Sequence, residues 1–153
     1  METVKALIAR KPRVYLYASL LYVLGIVLLK WLLHPSLDAL WFVIGGVLGV
    51  YFLDAAELFF ALNPSPFRSI VFEALFAVVA FFVISSSSSA IGGGLVLSLF
   101  LQMLLWQIGE WKMLGNLSSW YRMVNASVTV ASQKTILAVS AVVFALETIL
   151  FVR

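Results

Sequence analysis

Residues 38–62 read DALWFVIGGVLGVYFLDAAELFFAL, and Asn63-Pro64-Ser65-Pro66 follows them directly. The stretch is apolar almost throughout, and it exceeds the roughly 20 helical residues that cross the hydrocarbon core of a bilayer. Proline lacks a backbone N–H and disfavours helical geometry in the residue before it. A helix that begins near Asp38 is therefore expected to end close to Asn63-Pro64, and the segment predicts a transmembrane helix.

The rest of the chain has the same character. Of its 153 residues, 63% are hydrophobic and 11% are charged, whereas a soluble domain is about 45–50% apolar and about 25% charged. A soluble globule with this composition would have too little polar surface to cover its apolar side chains. Further apolar stretches occupy residues 14–33, 69–84, 95–114 and 135–152. We therefore predict an all-α, polytopic transmembrane helix bundle of five spans that forms a single domain over residues 1–153.

The Lys and Arg residues are distributed unevenly about these spans. Eight fall on one side, namely Lys5, Arg10, Lys11, Arg13, Arg68, Lys112, Arg122 and Lys134, and two fall on the other, namely Lys30 and Arg153. Cytoplasmic loops carry an excess of basic residues. The pattern predicts a cytoplasmic N-terminus and an external C-terminus, and we expect the protein to be integral to the plasma membrane of a prokaryote.

Residues 117–133 form the longest segment between predicted spans. Apolar residues recur there at helical spacing, with polar residues on the opposite side. This pattern indicates an amphipathic helix that lies in the membrane interface. The alternative is an earlier start of the last span, with the side chain of Lys134 reaching out to the interface.

Two acids and several glycines share one side of the second span. Asp54 and Glu57 are three residues apart and so lie on one helical face, and Gly46 and Gly49 are on the same side. Ionisable groups in a bilayer are costly, so each is a candidate functional residue. Gly45 and Gly49 form a small-xxx-small pattern, which predicts close helix packing. We expect this packing to occur within the chain rather than between copies.

The predicted topology places two further acids at a similar depth. Glu73 in the third span and Glu110 in the fourth join Asp54 and Glu57 in the inner half of the bundle, and Gln102 adds an amide to a polar stripe on the fourth span. Carboxylate and amide oxygens suit a hard cation such as Mg²⁺, or a proton relay. These residues are therefore a candidate cation or proton site.

Internal neutralisation is the competing interpretation, and the one we favour. Arg68, Lys112 and Arg122 lie on the same side of the membrane as the four acids and can pair with three of them. Near the opposite face, Lys30 and Glu147 lie at similar depth in the first and last spans. We predict an ion pair between them that ties these helices together, with Asp38 as the competing partner of Lys30.

Several function classes find no support in the sequence. The chain contains no Cys and one His, which rules out disulfides, thiolate chemistry and histidine clusters, and the motifs of metalloproteases, serine hydrolases and P-loop enzymes are absent. A metal-dependent enzyme that uses Asp54 and Glu57 is conceivable. The sequence has no basic face with interleaved aromatic residues, and so it does not indicate nucleic-acid binding.

The sequence thus predicts a small, non-enzymatic membrane subunit, structural, accessory or partner-binding. Its expected surroundings are the lipid bilayer and either another membrane protein or a second copy. The alternative is a small cation or proton-coupled transporter or channel. No cofactor is predicted, although a hard cation would suit the alternative.

Overall fold

The computed structural model describes residues 11–153, which fold as an all-helical bundle. The helices are α1 (Arg13–Leu33), α2 (Asp38–Phe59), α3 (Ile70–Ser86), α4 (Ala90–Leu114) and α5 (Val130–Val152), and residues 11–153 contain no strand. Four of them, α1, α2, α4 and α5, are long and apolar enough to span a membrane, whereas α3 is shorter at 17 residues. The all-α bundle is confirmed, and the chain is a small membrane protein.

The helix ends follow local hydrogen bonding. The hydroxyls of Ser69, Ser89 and Thr129 accept hydrogen bonds from the backbone N–H three residues later, and so cap α3, α4 and α5. Because Ser89 caps α4, this helix begins at Ala90, five residues before the predicted start of the span, and includes Gly92-Gly93-Gly94. At its other end Gly115 takes a left-handed conformation with φ 69°.

The amphipathic helix expected over residues 117–133 does not form. Residues 115–129 are a loop with short turns, and α5 begins at Val130, which corresponds to the alternative of an earlier start. Polar side chains bond to the local backbone instead: Asn116 Oδ1 accepts from Ser118 N at 3.1 Å, and Gln133 Oε1 accepts from Leu117 N at 2.7 Å. Three apolar residues of the pattern are nevertheless buried, since Leu117 and Trp120 are each 1% exposed and Tyr121 is 8% exposed.

Helix α4 lies at the centre of the bundle and contacts each of the other four helices. Its closest neighbour is α2. A Cβ on Gly45 or Gly49 would overlap the backbone carbonyl oxygen of Ile91 or Leu95 on α4, and a Cβ on Gly94 would overlap the backbone of α2. The structure therefore places the small-xxx-small pattern against α4 of the same chain. Gly46 faces Val23 of α1 and Ser98 of α4.

Candidate functional site

Asp54 and Glu57 are both buried on α2 and both have cationic partners. Asp54 Oδ2 lies 2.8 Å from Lys11 Nζ. Glu57 accepts two hydrogen bonds from Arg68, Nε to Oε1 and Nη2 to Oε2, each 2.9 Å long. Arg68 Nη2 also lies 3.9 Å from Asp54 Oδ1 and so joins the two pairs. We call Lys11, Asp54, Glu57 and Arg68 the ionic cluster.

Lys11 enters the ionic cluster from just ahead of α1. Its ammonium is buried and also donates to the backbone carbonyl oxygen of Val50. Burial lowers the pKa of Lys11 from its usual value of 10.5, while the hydrogen bond and charge of Asp54 oppose that shift. The cations predicted for the four acids were Arg68, Lys112 and Arg122 rather than Lys11. Lys11 could have been chosen as a partner, because the distribution of basic residues places it on the same side of the membrane as the four acids.

Aromatic rings enclose the two cations. The guanidinium carbon of Arg68 lies 4.0 Å from the ring centroid of Trp106, and Lys11 Nζ lies 5.4 Å from that of Tyr51. Tyr15 packs edge-on against Trp106, with centroids 5.4 Å apart. The negative faces of the rings therefore add cation–π attraction to the ion pairs.

The other two predicted site acids have separate partners. Glu110 accepts from the hydroxyl of Ser119 and, at 3.1 Å, from the indole N–H of Trp120. Glu73 accepts from the amide of Gln107. The structure thus brings together Asp54 and Glu57 but not all four acids. Across residues 11–153, no group of three or more His, Asp or Glu side chains is placed to hold a metal ion.

The remaining predicted residues are distributed around the bundle. Gln102 Nε2 donates to Ser19 Oγ on α1 at 2.6 Å. Lys112 is exposed, and Arg122 Nε donates to the backbone oxygen of Ser119 at 3.2 Å. Of the three cations expected to neutralise the acids, Arg68 does so, whereas Lys112 and Arg122 form no ion pair with the described residues.

The structure does not pair Lys30 with Glu147. Lys30 Nζ instead donates to the backbone oxygen of Phe151 at 3.3 Å and lies 3.8 Å from the centroid of that ring. The last carbonyls of a helix lack intrahelical donors and carry partial negative charge, so the end of α5 attracts the ammonium. The hydroxyls of Tyr22 and Thr148, 2.8 Å apart, join α1 to α5. Glu147 is 2% exposed, and neither of its oxygens has a hydrogen-bond partner among the described residues.

A cavity of about 550 Å³ adjoins the ionic cluster at the same end of the bundle, where α2 and α4 end and α3 begins. We call this the basic end. The polar part of the lining comprises Glu57, Asn63, Ser65, Arg68, Ser69, Glu110, Ser119 and Arg122, and the apolar part comprises Leu62, Pro64, Pro66, Trp106 and Met123. This cavity could not be predicted from the sequence, because loop residues 62–66 and 119–123 form much of its wall.

Comparison with protein-family models, with curated proteins and with solved structures finds no match. The functional argument therefore depends on the geometry of this chain.

Proposed function

We propose that this protein is a non-enzymatic membrane subunit with a structural or accessory role, whose partner is another membrane protein or a second copy of the chain. The observation that carries the proposal is that the buried acids of α2 already have cationic partners within the chain. Lys11 and Arg68 contact Asp54 and Glu57 directly. A cation entering the bundle would have to displace these internal ammonium and guanidinium groups, which are tethered and already hydrogen-bonded.

The distribution of exposed surface supports the same proposal. The connections between the helices are short loops, the longest being residues 115–129, which themselves pack onto the bundle. Helix α1 leaves most of its large apolar side chains exposed, and α5 leaves half of them exposed. The surface available for an interaction therefore lies largely in the plane of the membrane, where lipids or another helical protein would contact it.

Reconstitution tests the proposal. The pure full-length chain in liposomes should produce no more proton or Mg²⁺ flux than empty liposomes, as followed with dyes trapped inside, with an added ionophore as the positive control. Extraction of the native membrane in mild detergent should give a complex larger than the single chain. Flux well above that of empty liposomes would contradict the proposal, and so would a monomer as the sole species in the extract.

A proton-coupled transporter is the second candidate, and one specific observation favours it. Several buried oxygens in the bundle have no hydrogen-bond partner among residues 11–153, including Glu73 Oε1, Gln102 Oε1, Gln107 Oε1 and both oxygens of Glu147. Buried polar atoms of this kind often hold ordered water. If flux is found, Glu73→Gln and Glu57→Gln should abolish it, whereas Asp38→Asn, at an exposed position outside the cluster, should not.

We further propose that the basic end faces the cytoplasm and that the membrane is a prokaryotic plasma membrane, because basic loop residues favour the inner side. The chain has no Cys, so single introduced cysteines report orientation without a background signal. Ser88 lies between α3 and α4 and Ser118 between α4 and α5, both exposed. In intact cells an impermeant maleimide should label Ser88→Cys but not Ser118→Cys, and the reverse result would invert the topology.

A further inference from the structure

The cavity at the basic end contains two opposite charges that do not pair with each other. Glu110 and Arg122 both line it. Ser119 contacts both: its hydroxyl donates to Glu110 Oε1, and its backbone oxygen accepts from Arg122 Nε at 3.2 Å. No ion pair links Glu110 or Arg122 to any charged residue within 11–153. Ser119 therefore contacts the carboxylate of Glu110 and the guanidinium of Arg122, and these two charged groups form no ion pair with each other.

Both groups keep hydrogen-bonding capacity for a ligand. A guanidinium has five N–H donors, and Arg122 uses one of them, on Nε, for Ser119. A carboxylate has about four acceptor sites, and Glu110 uses one on each oxygen, for Ser119 and Trp120. Arg68 also lines the cavity and donates to Glu57 through Nε and Nη2, and its Nη1 has no hydrogen-bond partner among residues 11–153.

The charges of the lining favour a ligand that carries both signs. Two carboxylates, Glu57 and Glu110, and two guanidiniums, Arg68 and Arg122, surround the cavity. An anion would contact the carboxylates, and a cation would contact the guanidiniums. A ligand with both charges can place each beside its complement. The volume, about 550 Å³, is in the usual range of about 300–1,000 Å³ for small-molecule sites.

We propose that this cavity binds a phosphoethanolamine group, with its phosphate on Arg122 and its ammonium on Glu110. Guanidinium binds phosphate through paired N–H donors, and an ammonium donates well to a carboxylate. The cavity lies at the ends of α2 and α4, which are long and apolar enough to span a membrane, and the ends of spanning helices lie next to phospholipid headgroups. The group can belong to an ethanolamine phospholipid or to soluble phosphoethanolamine. This inference does not depend on the proposed subunit role.

Binding to the full-length chain in phospholipid-free maltoside micelles tests the inference. The probes are dihexanoyl phosphatidylethanolamine, dihexanoyl phosphatidylglycerol, phosphoethanolamine and glycine, followed by calorimetry and by tryptophan fluorescence, because Trp106 lines the cavity. The ethanolamine lipid should bind saturably. Phosphatidylglycerol lacks the ammonium and glycine lacks the phosphate, so each should bind at least about tenfold more weakly.

Variants separate the two charges. Arg122→Gln and Glu110→Gln should each weaken binding of the ethanolamine lipid by about tenfold or more. Lys112→Gln removes an exposed charge that does not line the cavity and should leave binding unchanged. If Glu110→Gln fails to fold, Arg122→Gln alone carries the test, because the Arg122 side chain is exposed.

The outcomes are distinct. If the lipid binds about tenfold more tightly than phosphoethanolamine, the membrane is the source of the ligand, and comparable affinities identify the soluble compound; either result supports the site. The proposal is overturned by an absence of saturable binding, by equal binding of phosphatidylglycerol or glycine, or by variants that bind as well as the original chain.

Discussion

Arg68 donates two hydrogen bonds of 2.9 Å to the carboxylate of Glu57. This bidentate pair joins the loop between α2 and α3 to the last turn of α2. The same guanidinium stacks on Trp106 of α4. A single side chain therefore connects two helices and a loop at the basic end. Its bidentate geometry restricts the substitutions that can replace it, since Lys offers no planar fork.

We expect Arg68→Gln to destabilise the folded chain by about 2–4 kcal/mol, because it leaves Glu57 buried without its cation. The value lies toward the low end for buried pairs because about a third of the Arg68 side chain is exposed. Unfolding in mixed micelles measures the change, with the exposed Lys134→Gln as the control. The double variant Arg68→Gln with Glu57→Gln should lose less than the sum of the single losses; strict additivity would show that the pair is not coupled.

Lys11 should matter as much as Arg68 despite its position outside any helix. Lys11→Met removes the nearest cation from Asp54 and should cost about 2–4 kcal/mol by the same argument. Adding Asp54→Asn to Lys11→Met should restore part of the stability, because the carboxylate that lost its partner is then gone. The measurement is the unfolding midpoint of these two variants and of the original chain, and the absence of any rescue would count against the pair.

Glycine substitutions test the contact between α2 and α4. Gly45→Ala and Gly49→Ala place a methyl group against the backbone oxygens of Ile91 and Leu95, so each should destabilise the bundle by about 1–3 kcal/mol. Gly25→Ala is the matched control, since Gly25 lies inside α1 with nothing within 4 Å of its added Cβ. Alanine there should be neutral or stabilising by up to about 1 kcal/mol. Equal effects at Gly25 and Gly45 would contradict the close approach.

We expect Glu147 to lower the stability of the folded chain. Its carboxyl is buried with neither oxygen bonded to a described residue, and an unsatisfied buried polar group costs about 1–3 kcal/mol. Glu147→Met should therefore raise the unfolding midpoint, whereas Leu146→Met, on the exposed side of α5, should leave it nearly unchanged. A marked loss of stability in Glu147→Met would reveal a favourable interaction of this carboxyl.

The helices were predictable because their apolar runs and their stops are local properties. Asn63-Pro64 follows the end of α2, and Gly115 follows the end of α4. The starts of α4 and α5 were placed five residues late, because the capping hydroxyls of Ser89 and Thr129 set the boundaries rather than hydropathy. Residues 117–133 show the limit of periodicity. Leu117, Trp120 and Tyr121 are buried, but the backbone N–H groups of Leu117 and Ser118 donate to the side chains of Gln133 and Asn116 and hold a loop.

The polar contacts were harder to predict, since they depend on side-chain direction between distant helices. The position of Asp54 and Glu57 on one helix face could be predicted from their spacing. The role of Arg68 as a cationic partner could be predicted from its side of the membrane. The partners of Glu110 and Glu73 did not follow, because Ser119, Trp120 and Gln107 are neutral donors that a charge count overlooks. Lys30 was matched to Glu147 by their similar depth and by the polar residues on their helix faces, although the C-terminal end of α5 competed for the ammonium.

The central position of α4 has a consequence for biogenesis. Chains enter the membrane from their N-terminal side first, so α1, α2 and α3 emerge before the helix that contacts all of them. During that interval α2 carries two carboxylates without its main packing surface. Their cations, Lys11 and Arg68, belong to segments already synthesised. The acidic helix can thus be neutralised while the nascent bundle still lacks its core, and α4 completes a structure whose most costly charges have already been matched.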